Sequence, residues 1–134
     1  PPADLIPDSF DRILVDAPCS GMGVLRRNPD AKWKRRPKAF KRYRRTQRQL
    51  LANLAPRVRP AGVLVYAVCS TEPEETREVV EWFLKNHPQF AIDSRPDSLP
   101  PTMAPLFAAD GTLQTDVHRH GTDGFFAVRL VRQP

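Results

Sequence analysis

Two cysteines among 134 residues are too few for a disulfide framework, so a reducing, cytoplasmic setting is the expectation. No apolar stretch approaches the ~20 residues that a membrane span needs. No basic stretch followed by an apolar one opens the chain, and no membrane partner is expected. Glycine is scarce, at six residues, and there is no internal repeat. Acidic residues are nearly missing from one region. Between Arg26 and Arg48 only Asp30 stands against twelve Lys or Arg, a local charge of +11. The other residues hold nine basic and fourteen acidic side chains, or −5.

What is present argues for one folded α/β domain. Hydrophobic residues make up 40% of the chain and gather into runs such as Arg12-Ile-Leu-Val-Asp16 and Gly62-Val-Leu-Val-Tyr-Ala-Val68. The confined positive charge suits a polyanion, because each neutralised phosphate releases condensed counterions. Trp33, among Lys32, Lys34, Arg35 and Arg36, adds a plane on which bases can stack. A solvated helix face accounts for the same charge run, and Trp33 also suits a buried anchor. Both pairs of readings stand at this point.

Phe10 to Ala17 reads as a short buried strand, with Ile13, Leu14 and Val15 as its unbroken β-prone run. A turn-rich loop, Pro18-Cys19-Ser20-Gly21-Met22-Gly23, follows. Phe40, Tyr43, Leu50, Leu51, Leu54 and Val58 keep helical spacing, bridged by Gln47, and most of the basic residues point the other way. Pro60-Ala61-Gly62 is expected to end that helix and lead into a second buried strand, Val63 to Val68. Thr71 and Glu74 fit a capping box, placing a helix start just after Cys69. Val79, Val80, Phe83 and Leu84 form its buried stripe, and Asn86-His87-Pro88 stops it. Further strands are expected at Phe90 to Ile92 and Phe125 to Val131, with Gly111 to Thr115 in a hairpin. Residues 93 to 110 carry no period and read as an irregular surface segment.

Strand, helix, strand, helix, strand implies an α/β fold with parallel strands. Right-handed crossovers then bring the loops at Cys19 and Cys69 to the same carboxyl edge, where open α/β sheets bind ligands. Neighbouring strands lie about 4.8 Å apart, so both sulfurs can reach one small ligand. A helix beginning after Cys69 favours its thiolate, although Glu72, Glu74 and Glu75 oppose that in part. A small buried hydrophobe is the plain reading of a lone cysteine. Two at equivalent positions favour chemistry. His118 and His120 match no zinc-finger spacing with these cysteines, so no metal site is expected.

Paired thiols beside a basic, aromatic-bearing patch suit methylation at carbon 5 of a pyrimidine. A thiolate adding to carbon 6 makes carbon 5 nucleophilic, and a base then removes the carbon 5 proton so that the thiolate can leave. The target base must first leave its stack.

Phe10-Asp-Arg-Ile-Leu-Val-Asp-Ala-Pro-Cys-Ser-Gly21 resembles motif IV of the Sun family of RNA 5-methylcytosine methyltransferases. Val65-Tyr-Ala-Val-Cys-Ser-Thr-Glu-Pro-Glu-Glu75 resembles its motif VI. Gly23 to Pro37 is similar to the family's connecting segment, and His118-Arg-His-Gly-Thr-Asp-Gly-Phe-Phe-Ala-Val-Arg-Leu130 to its C-terminal motif. The resemblance implies Cys69 as the nucleophile and Cys19 as the residue assisting adduct breakdown. It implies Asp16 as a contact to S-adenosylmethionine and Pro18 as the shaper of the turn. Arg26, Arg27, Lys32, Trp33, Arg35 and Arg36 would lie against RNA, with 16S ribosomal RNA the substrate. Val68, Ala61 and Val117 depart from the family's usual Thr, Gly and Pro.

The family's sheet runs 3-2-1-4-5-7-6. This chain is expected to supply a partial Rossmann-like sheet of strands 4-5-7-6 with flanking helices, as the C-terminal part of the catalytic domain. The family's Gly-rich cofactor loop is not found, since Gly21-Met-Gly23 lacks the third glycine and the helix start. The N-terminal half is thus read as missing, and the isolated chain is expected to lack appreciable methyl transfer. The first strand's free edge is expected to self-associate or to be covered by the N-terminal residues. Two other functions compete: a methyltransferase acting on exocyclic amines, suggested by Asp16-Ala-Pro-Cys19, and a non-catalytic RNA-binding module with structural cysteines.

Overall fold

A computed structural model of the chain describes residues 8–30, 33, 37–94 and 99–134. Five strands, β1 (Phe10–Asp16), β2 (Val58–Val68), β3 (Phe90–Ile92), β4 (Leu113–Thr115) and β5 (Phe125–Arg132), form one sheet. The helices are α1 (Pro37–Leu54), α2 (Arg77–Asn86) and the short α3 (Val117–His120). The spatial order is β1-β2-β5-β3, with β4 pairing β5 off this path. β1 and β2 are parallel, and β5 runs antiparallel to β2, β3 and β4. This is the expected 4-5-7-6 arrangement, with the last strand inserted between the second and third.

One sheet face holds the core. Val15, Leu64, Tyr66, Val68, Phe126, Val128 and Leu130 pack with Leu51 of α1 and with Val79, Val80 and Phe83 of α2. Strand side chains alternate between faces, so Leu14 points away from the helices and is 69% exposed. The expectation that Ile13, Leu14 and Val15 are all buried therefore fails. β1 pairs with β2 alone among the described residues, and the helices cover only its inner face. Residues 1–7, named as a cover for its edge, lie outside the described residues.

Two boundaries also differ from expectation. The first helix ends at Leu54, a 3-10 turn spans Ala55–Arg57, and Val58 already pairs with Phe10. Pro60-Ala61-Gly62 lies inside β2 as an irregularity. The register jumps from Phe10↔Val58 to Arg12↔Val63, and Ala61 adopts φ 60°. Val58 keeps the helical spacing because it is buried, but against the core from a strand. The capping box at Thr71 does not form either. A 3-10 turn occupies Pro73–Glu75, and α2 begins at Arg77 after Thr76, whose side chain makes no cap bond. Thr76 Oγ1 instead donates to Glu72 O at 2.8 Å, and Glu75 turns inward.

The segment read as irregular holds a 3-10 helix, Pro101–Leu106, and Phe107 bridges Leu113. β4 then lies beside the first half of β5 while β3 lies beside its second half. No helix among the described residues is long and apolar enough to cross a membrane.

Candidate active site at the sheet's carboxyl edge

β1 and β2 end on the same rung. Asp16 pairs with Ala67, and Ala17 N–H continues the ladder to Ala67 O at 3.0 Å. The next residues on each chain bring Cys19 Sγ to 2.9 Å from Cys69 Sγ, closer than the strand spacing by itself requires. Both are half-buried free thiols. Burial, and then the hydrogen bond and charge of Cys69, push the Cys19 thiol from 9.0 to about 12, while a Gly21 backbone contact opposes them.

Beneath the sulfurs lies a polar cluster that no water reaches. Ser20, Ser70, Gln47 and Glu75 are all 0% exposed. Ser20 Oγ and Ser70 Oγ each donate to Glu75 Oε2 at 2.5 Å, and Ser20 N donates to Oε1 at 2.8 Å. Gln47 Nε2 reaches Pro18 O at 3.0 Å and Oε1 at 3.3 Å. Tyr66, its hydroxyl held protonated by burial and then by the nearby Glu75 charge, donates to Glu75 O at 2.6 Å. Burying a carboxylate costs several kcal/mol unless donors replace the lost water, and here four do.

A second set of contacts closes the site from the C-terminal side. Gly23 N donates to Cys69 O at 3.1 Å, and Gly124 N to Gly23 O at 2.8 Å. The two glycines touch so closely that a Cβ on Gly23 would lie 1.8 Å from Gly124 O. Asp123, 4% exposed, receives Arg26 Nε at 2.5 Å and Arg27 Nε at 2.6 Å. These arginines, singled out for RNA, thus also anchor the loop after β1, with side chains still 45% and 68% exposed.

Asp16 sits exposed at the end of β1. Trp33 is 83% exposed, which overturns the buried-anchor reading. Lys32, Arg35 and Arg36 lie outside the described residues. Cys69 is not at a helix N-terminus, since α2 starts eight positions later, so no helix dipole acts directly on it. His120 Nδ1 accepts the Asp116 N–H at 3.0 Å within α3. Among the described residues no cluster of three metal-ligating side chains forms.

The basic helix divides its charges. Arg44 pairs with Glu78 at 2.8 Å, and Arg48 lies 5.3 Å from the Trp82 ring centroid, tying α1 to α2. Lys38, Lys41, Arg42 and Arg45 are exposed and without a carboxylate partner among the described residues. Their spacing of three, four and seven places them on one stripe.

Sequence reasoning missed Glu75, Ser20, Ser70 and Asp123. Glu75 passed for a helix-terminal acid because it follows Glu72 and Glu74 in one acidic run, although those two are half-buried and Glu75 is fully buried. The overlooked signal is the repeated Cys-Ser pair, at 19–20 and at 69–70, placing a hydroxyl behind each thiol.

Solved structures define the class. A methyltransferase homologue from Pyrococcus horikoshii superposes with TM-score 0.72 at 29% identity, over 92% of this chain and 39% of its own. NSun6 from Pyrococcus horikoshii, crystallised with SFG, gives 0.74 at 27% identity, over 91% and 30%. The fold is thus that of a Rossmann-like methyltransferase. The family description "16S rRNA methyltransferase RsmB/F" matches residues 2–131, and the chain belongs to that family. A probable ribosomal RNA small subunit methyltransferase B of Bacillus subtilis (strain 168) is 46% identical over 119 residues, 89% of this chain and 27% of that protein. Ribosomal RNA small subunit methyltransferase B of Yersinia pseudotuberculosis serotype O:1b is 38% identical over 124 residues, 92% and 27%. The chain therefore spans about 27% of the length of these curated relatives.

Proposed function

We propose that this chain is the thiol-bearing, C-terminal part of the catalytic domain of an RNA cytosine-C5 methyltransferase acting on 16S ribosomal RNA. The single observation that carries this reading is the 2.9 Å approach of Cys19 Sγ to Cys69 Sγ at the carboxyl edge of parallel strands. Methyltransferases acting on exocyclic amines use no thiol, and a structural pair needs no access to solvent.

Cys69 gives its proton to solvent and its thiolate adds to carbon 6 of an extruded cytosine, so that carbon 5 becomes the nucleophile. S-adenosylmethionine, when bound, supplies an electrophilic methyl group and leaves as a neutral thioether. Its fit to the residues present is partial. The exposed carboxylate of Asp16 suits the cofactor's cationic methionine end, whereas no described residue is assigned to its adenosine.

Cys19 changes character during the cycle. In the free site it remains a thiol, because burial and Cys69 hold its proton. Once Cys69 is bonded to carbon 6, its charge and its hydrogen bond to Cys19 are withdrawn, which are two of the causes holding that proton. Burial still holds the Cys19 proton in most molecules; in the small fraction that gives it to solvent, Cys19 as thiolate takes the proton from carbon 5. The carbon 6–sulfur bond breaks, its electron pair returns to Cys69, and the ring's double bond is restored. RNA phosphates lie along Lys38, Lys41, Arg42 and Arg45, and Trp33 offers a stacking surface.

The test is adduct trapping in the full-length protein with a 16S transcript carrying 5-fluorocytosine. A covalent complex is expected with the native protein and none with Cys69→Ala. An adduct that survives Cys69→Ala rejects the assignment.

A further inference from the structure

Glu75 lies one layer below the reacting sulfurs and takes no part in the chemistry described above. Its two oxygens nevertheless meet both thiol-bearing loops. Ser20, directly after Cys19, donates its backbone N–H to Oε1 and its hydroxyl to Oε2. Ser70, directly after Cys69, donates its hydroxyl to the same Oε2. The two hydroxyl oxygens are thereby held 3.4 Å apart, and the preceding residues carry the sulfurs 2.9 Å apart. Glu75 itself is gripped from the strand interior by Tyr66 and from α1 by Gln47. No cation pairs with Glu75 among the described residues, so its acceptors are spent on these donors.

We propose that Glu75 is the positioning residue of the thiol pair. It clamps the loop after β1 to the loop after β2 through Ser20 and Ser70, and so sets the sulfur-to-sulfur separation. The proposal rests on the reading of Cys19 and Cys69 as the reacting pair, but its geometry is measurable without turnover. A carboxylate only accepts, which is what four converging donors require. An amide at this position, with almost no change in volume, keeps one acceptor for Ser20 N and Gln47, but its own N–H groups then face the two serine hydroxyls, which must reverse from donating to accepting.

The experiment uses the full-length protein and its Glu75→Gln variant, with the thiols as a ruler. Diamide oxidises the two thiols to a disulfide, taking up their two electrons and two protons to become the hydrazine. Peptide mass spectrometry follows the closure at a temperature where both proteins are folded. Glu75→Gln is expected to slow closure about 10-fold or more, since sub-ångström to 1 Å displacements carry penalties of that order. Adduct trapping on 5-fluorocytosine RNA slows in parallel while RNA affinity stays within about twofold of native. The Ser20→Ala/Ser70→Ala double variant reproduces the effect and replaces Glu75→Gln if the latter does not fold. Closure at the native rate in the folded variant overturns the proposal. If the native protein forms no RNA adduct, the functional reading fails, and the closure rates still decide what Glu75 does.

Discussion

The loops after β1 and β2 start from the same plan, a strand end followed by Cys-Ser, yet they sit in different surroundings. Among the described residues β1 pairs with β2 alone and Leu14 is 69% exposed, whereas β2 lies between two strands and buries Leu64, Tyr66 and Val68 completely. The first loop runs on toward the basic helix α1. The second runs into Glu72, Glu74 and Glu75, and burial together with the other two acids raises the Glu72 carboxyl above its usual range. Their thiols meet, but Cys19 is held at about 12. Two sulfurs equal in topology thus stand in unlike surroundings, and burial with the neighbouring thiol tightens the hold of Cys19 on its proton.

The largest effects should come from removing the sulfurs one at a time. Cys69→Ala is expected to lower turnover of the full-length protein by about 10³-fold or more and to abolish the RNA adduct. Cys19→Ala should also stop turnover but leave the adduct in place, visible as a slowly migrating complex on denaturing gels with unmodified RNA. Identical behaviour of the two variants would break the comparison.

Changing pH sharpens it. A folded-state thiol raised from 9.0 to about 12 binds its proton more tightly than the unfolded chain does. The stabilisation it contributes is complete below pH 9 and is lost as pH rises through about 12. The melting midpoint should therefore fall across that window, and Cys19→Ala should flatten the fall. Iodoacetamide at pH 8 should alkylate Cys69 before Cys19, read by peptide mass spectrometry.

A smaller effect distinguishes the charges following each loop. Lys41→Ala and Arg45→Ala should each reduce the slope of log affinity for RNA against log salt by about 1. Glu74→Gln, after the second loop, should leave that slope unchanged. The smallest effect concerns the bulge in β2. Ala61 holds φ 60°, a conformation costing a non-glycine residue about 1–2 kcal/mol. The added unfolded-state entropy of glycine opposes part of that gain. Ala61→Gly should stabilise the fold by about 0.5–1 kcal/mol in urea unfolding.

Much of the architecture could be read from contiguous residues. The β-prone run before Cys69 and the 3.6-residue period of Leu50, Leu51 and Leu54 reflect local geometry, and crossover handedness brought both cysteine loops to one edge, whereas the strand order came from the resemblance to the Sun family. Burial misled where local rules were extended. Leu14 sits in an apolar run but on the uncovered face, and Val58 keeps helical spacing from within a strand. At the site, the two thiols were legible because topology places them at equivalent strand ends.

The amino-acid order by itself determined that two Cys-Ser loops arrive at one edge of a parallel pair beside a concentrated positive charge. Only the tertiary structure decided that Glu75 meets Ser20 across 55 positions, and that Asp123 meets Arg26 across 97. Periodicity and chain direction act between neighbours in sequence. The partner of a buried carboxylate is chosen by whichever donors packing carries to it after water has been excluded.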